Sequence, residues 1–133
     1  MGVGLFAKCS VNAFQAIFSE RPLLIVPRGF SYSSLPDLSV EETIQRRSSK
    51  FEEVLQQALG FMTKEDVDAY MNLSNCLPQN CPQLYGIART NGFDIDIEGE
   101  NLDEGEIGYV VVGKLASRIN HRYVFLVFEV LAN

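Results

Sequence analysis

The sequence predicts an α+β domain, because strand patterns and helix patterns occupy separate stretches of the chain. Apolar and aromatic stretches typical of strands lie near both ends, and a long stretch with helical periodicity lies between them. There is no internal repeat and no regular strand–helix alternation of the kind that builds a parallel sheet. With 133 residues the chain is long enough for one domain and too short for two comfortable ones.

The first half is predicted to contain two strands and a helix. The strands are expected within residues 3–11 and 15–27, with Pro22 and Pro27 confining pairing to sheet edges or strand ends. Ser39 and Glu42 have the spacing of a capping box, which predicts that a helix starts there. Apolar side chains at three- and four-residue spacing then define its buried face. These are Phe51, Val54, Leu55, Ala58, Leu59 and Met62.

The second half is predicted to contain a short helix and a hairpin. Thr63 and the acids after it favour a helix start, with the helix ending near Leu73 and a loop over residues 74–83. The dipeptide Asn91-Gly92 suits a left-handed turn. The strict alternation in FDIDIEGE, residues 93–100, predicts a strand with one face in water, and residues 105–115 predict another.

Charge and hydropathy exclude several classes of function. The net charge is −6, and seven acids crowd residues 94–106, so direct nucleic-acid binding is not expected. The apolar stretch at residues 123–132 is far shorter than the ~20 residues of a membrane-spanning helix. With no secretory signal pattern, we expect an intracellular protein, nuclear or cytoplasmic, whose three cysteines form no disulfide.

Two metal motifs are incomplete, and the sequence predicts no metal site. Cys76 and Cys81 are separated by four residues and lack a second ligand pair. The acids from Asp94 onward have the spacing of a calcium loop, but Gly105 stands where that loop requires a glutamate.

Four short motifs, each weak alone, occur in a defined order. They are GVGLFA at residues 2–7, IFSERPLL at 17–24, GIARTNGF at 86–93 and SRINH at 117–121. In this order they resemble the SET domain, with the closest similarity to SET-domain proteins common in fungi. The resemblance implies a SET-like fold of short strands and hairpins, incomplete at the C-terminus. It divides the single partial domain into N-terminal strands at 1–30, a helical insert at 39–75, a core at 84–121 and an aberrant tail at 122–133.

The resemblance also implies a chemistry, the transfer of a methyl group from S-adenosylmethionine to a lysine amine of a protein. The cofactor contacts it implies come from the first and last motifs, and they are Gly2, Val3, Gly4, Ser117, Asn120 and His121. Asn91 is assigned to the substrate side. Glycine lets backbone amides approach a ligand closely, and an asparagine amide offers both a donor and an acceptor.

The chain departs from the family pattern after His121. Arg122 and Tyr123 replace the expected continuation, and no residue matches the family's tyrosine at the methyl-transfer channel, so no catalytic residue is assigned and this chain is expected to be inactive. Residues 122–133 are interpreted either as translated intron sequence or as a terminal strand. The alternative functions are a non-catalytic SET-derived module that binds cofactor or protein, and an interaction domain unrelated to the family.

Overall fold

A computed structural model describes residues 7–28, 39–95 and 108–119 of the protein. The described elements are strand β1 (Leu24–Pro27), helices α1 (Val40–Leu59), α2 (Lys64–Met71) and α3 (Gln83–Asn91), then strands β2 (Gly92–Ile95) and β3 (Tyr109–Val112). A 3-10 turn at Ala116–Arg118 follows β3. Helices and strands are segregated along the chain, so the predicted α+β class is confirmed.

In the described part of the chain the sheet has three strands in the order β1-β3-β2, and β3 pairs antiparallel with both neighbours. Leu24 and Gly92 flank Val112, and Val26 and Asp94 flank Val110. The central strand is nearly continuous valine, as expected of a strand that is covered on both faces. Pro27 lies in an edge strand, as predicted, where its missing N–H removes no bond from the ladder.

Helix α1 starts as the sequence predicts. The Ser39 hydroxyl accepts from the Glu42 backbone N–H at 3.2 Å, and the Glu42 carboxylate accepts from the Ser39 backbone N–H at 2.9 Å, which completes the capping box. Phe51 and Leu55 are buried in the core against β1 and β3, and the other members of the predicted stripe pack around them. Burying each such side chain contributes roughly 1.5–3 kcal/mol.

Helix α3 is joined to α2 by a hydrogen bond and to α1 by a contact between aromatic rings. Thr63 caps α2, which agrees with the predicted start. The buried Tyr70 donates its hydroxyl hydrogen to the carbonyl of Leu84 at 2.9 Å. The Phe51 and Tyr85 rings meet edge to face, with centroids 6.0 Å apart, and this contact joins α1 to α3.

Two predictions about the chain before β1 are corrected. Residues 7–11 contain no strand, and the predicted strand at 15–27 is reduced to Leu24–Pro27. Apolar side chains on which these two strand predictions rested are exposed, with Val11 at 40%, Ile17 at 70% and Phe18 at 37%. A strand pattern forms a strand only where a partner supplies backbone bonds. Of residues 7–28, only Leu24–Pro27 pair with β3 in the ladder.

The predicted left-handed turn at Asn91-Gly92 is also wrong. Asn91 is the last residue of α3, and Gly92 begins β2 in an extended conformation with φ −82°. Glycine is required there for space, because an added Cβ would lie 2.6 Å from the Ala88 carbonyl oxygen and 2.6 Å from a Val110 methyl group. The helix therefore passes directly into the strand.

Candidate functional site

Three of the four motifs that carry the SET resemblance meet beside the 3-10 turn. Glu20 comes from the second motif, Asn91 from the third and Ser117 from the fourth, and hydrogen bonds connect each of them to the chain between Gly113 and Ser117. The predicted residues Gly2, Val3, Gly4, Asn120 and His121 lie outside the described residues, so their assignments stay predictions.

Glu20 binds the start of the turn with both carboxylate oxygens. One oxygen accepts from the Leu115 N–H at 2.8 Å and the other from the Ala116 N–H at 2.7 Å. The turn has no side-chain cap of its own, so Glu20 supplies the acceptors that its first amides lack. Bonds of this length to a carboxylate are among the stronger hydrogen bonds in proteins.

Gly113 makes room for this carboxylate. A Cβ added at Gly113 would overlap a Glu20 carboxylate oxygen and would lie 3.0 Å from the Cβ of Ala116. Gly113 is buried, and the displaced oxygen would be one that already accepts from Ala116. The absence of a side chain at this position is therefore a condition for the contact between Glu20 and the turn.

The hydroxyl of Ser117 is directed toward backbone carbonyls. It donates to the carbonyl of Gly113 and lies 3.3 Å from the carbonyl of Asn91. One hydroxyl hydrogen serves these two acceptors, so any bond from Ser117 to a ligand must use the oxygen lone pairs. The predicted cofactor residue Ser117 thus links the turn to the junction between α3 and β2.

Asn91 occupies that junction and is only 4% exposed. Its amide nitrogen donates to the Ser74 carbonyl at 2.6 Å and to the Ile87 carbonyl at 2.7 Å. Both amide hydrogens are used inside the protein, which leaves the carboxamide oxygen as the only group of this side chain that can contact a ligand. The contacts of Asn91 are structural, and its assignment to the substrate side stays a prediction.

Thr90 holds the loop that contains Ser74 and Cys76 against α3. Its hydroxyl donates to the Gly86 carbonyl at 2.7 Å and accepts from the Cys76 N–H at 3.1 Å. Thr90 and Asn91 therefore both hold residues 74–76 against α3. In this way the third motif fixes the position of the loop segment beside the site.

The polar side chains beside the turn hold backbone segments in place. Their carboxylate, hydroxyl and amide groups bind backbone atoms. Cys76 is exposed and Cys81 half-buried, both as free thiols. Over residues 7–28, 39–95 and 108–119 there is no group of three or more His, Cys, Asp or Glu side chains that could hold a metal ion. Within the same ranges, no helix is long and apolar enough to cross a membrane.

Sequence reasoning missed the roles of Glu20 and Gly113. Glu20 lies inside the motif IFSERPLL, but its partners are 95 and 96 residues further along the chain. The sequence signal for Glu20 was its position inside the second motif, whereas Gly113 lies outside all four motifs. Comparisons of the protein with family models, with curated proteins and with solved structures found no match.

Proposed function

We propose that this chain is a SET-domain protein of the S-adenosylmethionine-dependent protein-lysine N-methyltransferase family. The observation that carries the proposal is the meeting of Glu20, Asn91 and Ser117, which belong to three separate motifs of the resemblance, at one turn. Segments that share a binding site must lie together in the fold although they are distant in sequence. Their convergence supports a common site formed by the motifs.

In this proposal the first and last motifs hold the cofactor. Gly2, Val3 and Gly4 offer backbone contacts, and the other wall consists of Ser117, Asn120 and His121. The lone pairs of the Ser117 hydroxyl fit an ammonium or hydroxyl donor, since its hydrogen is already used by carbonyls. S-adenosylmethionine supplies an activated methyl group, and the protein's contribution is to orient it toward a lysine amine.

Titration calorimetry with S-adenosylmethionine tests the cofactor site on the full 133-residue chain. We expect saturable binding that falls at least tenfold (about 1.4 kcal/mol) in Asn120→Ala. The matched control is Asn80→Ala, which changes an exposed asparagine in the loop before α3 and leaves affinity unaltered. Absence of binding to the unsubstituted chain, or equal affinities of the two variants, would refute the cofactor assignment.

A methylation assay tests catalysis separately. With labelled S-adenosylmethionine and lysine-rich protein substrates, we expect no methyl transfer by this chain, because no residue matches the family's channel tyrosine. Transfer of label above a no-protein control contradicts this expectation.

A non-catalytic protein-binding module is the second candidate, and exposed apolar side chains favour it. Val11, Phe14 and Ile17 project from the stretch before β1, and Phe14 adopts a left-handed backbone conformation that is uncommon for a bulky residue. Exposed apolar groups gathered on one short segment are typical of interaction surfaces. Sedimentation velocity tests for a second copy as the partner: association that is lost in Ile17→Ser supports this candidate, and a concentration-independent monomer opposes it.

A further inference from the structure

We infer that Glu20 is a positioning residue for Ser117, the described residue of the proposed cofactor wall, an inference that rests on the proposed function. Glu20 acts through the backbone, because its two oxygens bind the amides of Leu115 and Ala116, directly before Ser117. Through these bonds it sets where the Ser117 hydroxyl lies.

The turn needs an external anchor. It spans three residues, and a 3-10 turn of this length has few internal bonds to fix its direction. Its described internal bonds run from the Arg118 N–H to the Leu115 carbonyl and from the Ile119 N–H to the Ala116 carbonyl, both at 2.9 Å. Neither bond ties the turn to another part of the fold. The Ser117 hydroxyl links the turn to the Asn91 carbonyl, and the carboxylate of Glu20 links the start of the turn to the segment before β1.

Glu20 is itself held in a defined place relative to the sheet. Three residues after it, the Leu23 N–H donates to the Val112 carbonyl at 2.9 Å, and Leu24 then pairs with Val112 in the β1–β3 ladder. Because Glu20 lies just before β1, its carboxylate fixes the position of the turn after β3 relative to β1. Gly113, between β3 and the turn, leaves the space that this contact requires.

Burial of apolar surface does not explain the contact by itself. Ala116 is buried, but Leu115, the other residue bound by Glu20, is 44% exposed, so burial of apolar surface holds only one of the two in place. Functional side chains must be held within about 0.5 Å of their productive positions, and neighbouring hydrogen bonds provide that precision. A carboxylate aimed at the two amides before Ser117 meets this requirement.

The experiment compares Glu20→Ala, Glu20→Gln, Gly113→Ala and the double variant of Glu20→Ala with Gly113→Ala, all in the full chain. Glu53→Ala is the matched control, because Glu53 is an exposed glutamate on α1. Amide hydrogen exchange, followed by NMR at residues 115–117, reports the turn without any ligand. Titration calorimetry measures the affinity for S-adenosylmethionine, which depends on the position of Ser117 in the proposed cofactor wall.

We expect exchange at Leu115 and Ala116 to accelerate about tenfold or more in Glu20→Ala, and about half as much on a logarithmic scale in Glu20→Gln, which retains one acceptor. Affinity for S-adenosylmethionine should fall about tenfold in Glu20→Ala. Gly113→Ala should reproduce both effects, and the double variant should add little, because both changes remove the same contact. Glu53→Ala should change neither measurement.

Unchanged exchange at residues 115–117 in Glu20→Gln and Gly113→Ala overturns the inference, and these two milder variants keep the test valid if Glu20→Ala does not fold. Accelerated exchange with unaltered affinity also overturns it, since Glu20 would then stabilise the turn without positioning the wall. If the unsubstituted chain does not bind S-adenosylmethionine, the proposed function fails, and the exchange at Ser117 alone then decides whether Glu20 positions this segment.

Discussion

Removing the carboxylate of Glu52 should loosen α3 from α1. Helix α3 follows Pro82, which gives it no side-chain cap, and Glu52 supplies the missing acceptors from the middle of α1. Its two oxygens accept from the Leu84 N–H at 3.2 Å and from the Tyr85 N–H at 2.6 Å. These are amides of the first helical turn, which have no partner inside the helix.

The expected change in the free energy of unfolding follows from the two hydrogen bonds that Glu52→Ala removes. Deleting a helix cap costs about 0.5–2 kcal/mol, and a hydrogen bond to a charged group contributes about 1.5–3 kcal/mol. Glu52 is half-buried, so water replaces part of the lost interaction, and we expect Glu52→Ala to lower the free energy of unfolding by ~2 kcal/mol. For a chain of 133 residues this corresponds to a fall in Tm of roughly 6–10 °C.

Thermal and urea denaturation followed by circular dichroism measure this change. Glu52→Gln retains one acceptor oxygen and should cost about half as much, ~1 kcal/mol. Glu53→Ala removes an exposed carboxylate at the next position and should leave the Tm within about 2 °C. A Tm for Glu52→Ala equal to that of Glu53→Ala would refute the claim that α1 caps α3.

Three further perturbations test the core and the titratable groups. Leu55→Ala empties a fully buried position and should cost about 2–5 kcal/mol in urea denaturation, while Gln56→Ala on the exposed face should cost less than about 0.5 kcal/mol. Burial, and then the nearby charge of Glu52, raises the pKa of Tyr70 above its usual value of about 10, so the stability it contributes is complete below that pH and is lost as the pH rises further. Subtracting the pH titration of Tyr70→Phe from that of the natural chain isolates the phenolate absorbance of Tyr70. This absorbance should appear only when the protein unfolds, and its appearance in the folded protein near pH ~10 would contradict the burial argument. Hydrogen bonds from the Ser39 backbone and side chain hold the pKa of Glu42 below its usual 4.5, so the capping box stabilises the fold above that pH and loses its effect as the pH falls through the lowered value. The Tm difference between the natural chain and Glu42→Gln should shrink over that acidic window, and a constant difference would exclude this linkage.

Elements defined by near neighbours in the sequence could be predicted. The capping box of α1 joins residues three apart, and the buried stripe repeats within four residues, so both are visible without knowing the fold. The strand at Tyr109–Val112 was predicted for a similar reason, since a run of valines suits a covered strand. The strand predicted at residues 15–27 was too long, because the whole stretch has a strand pattern while β3 pairs with only its last four residues.

By itself, the sequence determined the α+β class and the start and buried face of α1. The cofactor site that the four motifs imply stays a prediction. Only the tertiary structure decided that Glu52 caps α3 and that Glu20 holds the turn before Ser117. Those contacts join residues 32 and 95 positions apart, and a glutamate among many gives no local sign of which amides it will meet. The physical reason is that a hydrogen bond depends on distance in space, and only the packing of α1 and β1 brings these carboxylates to backbone groups that lack partners of their own.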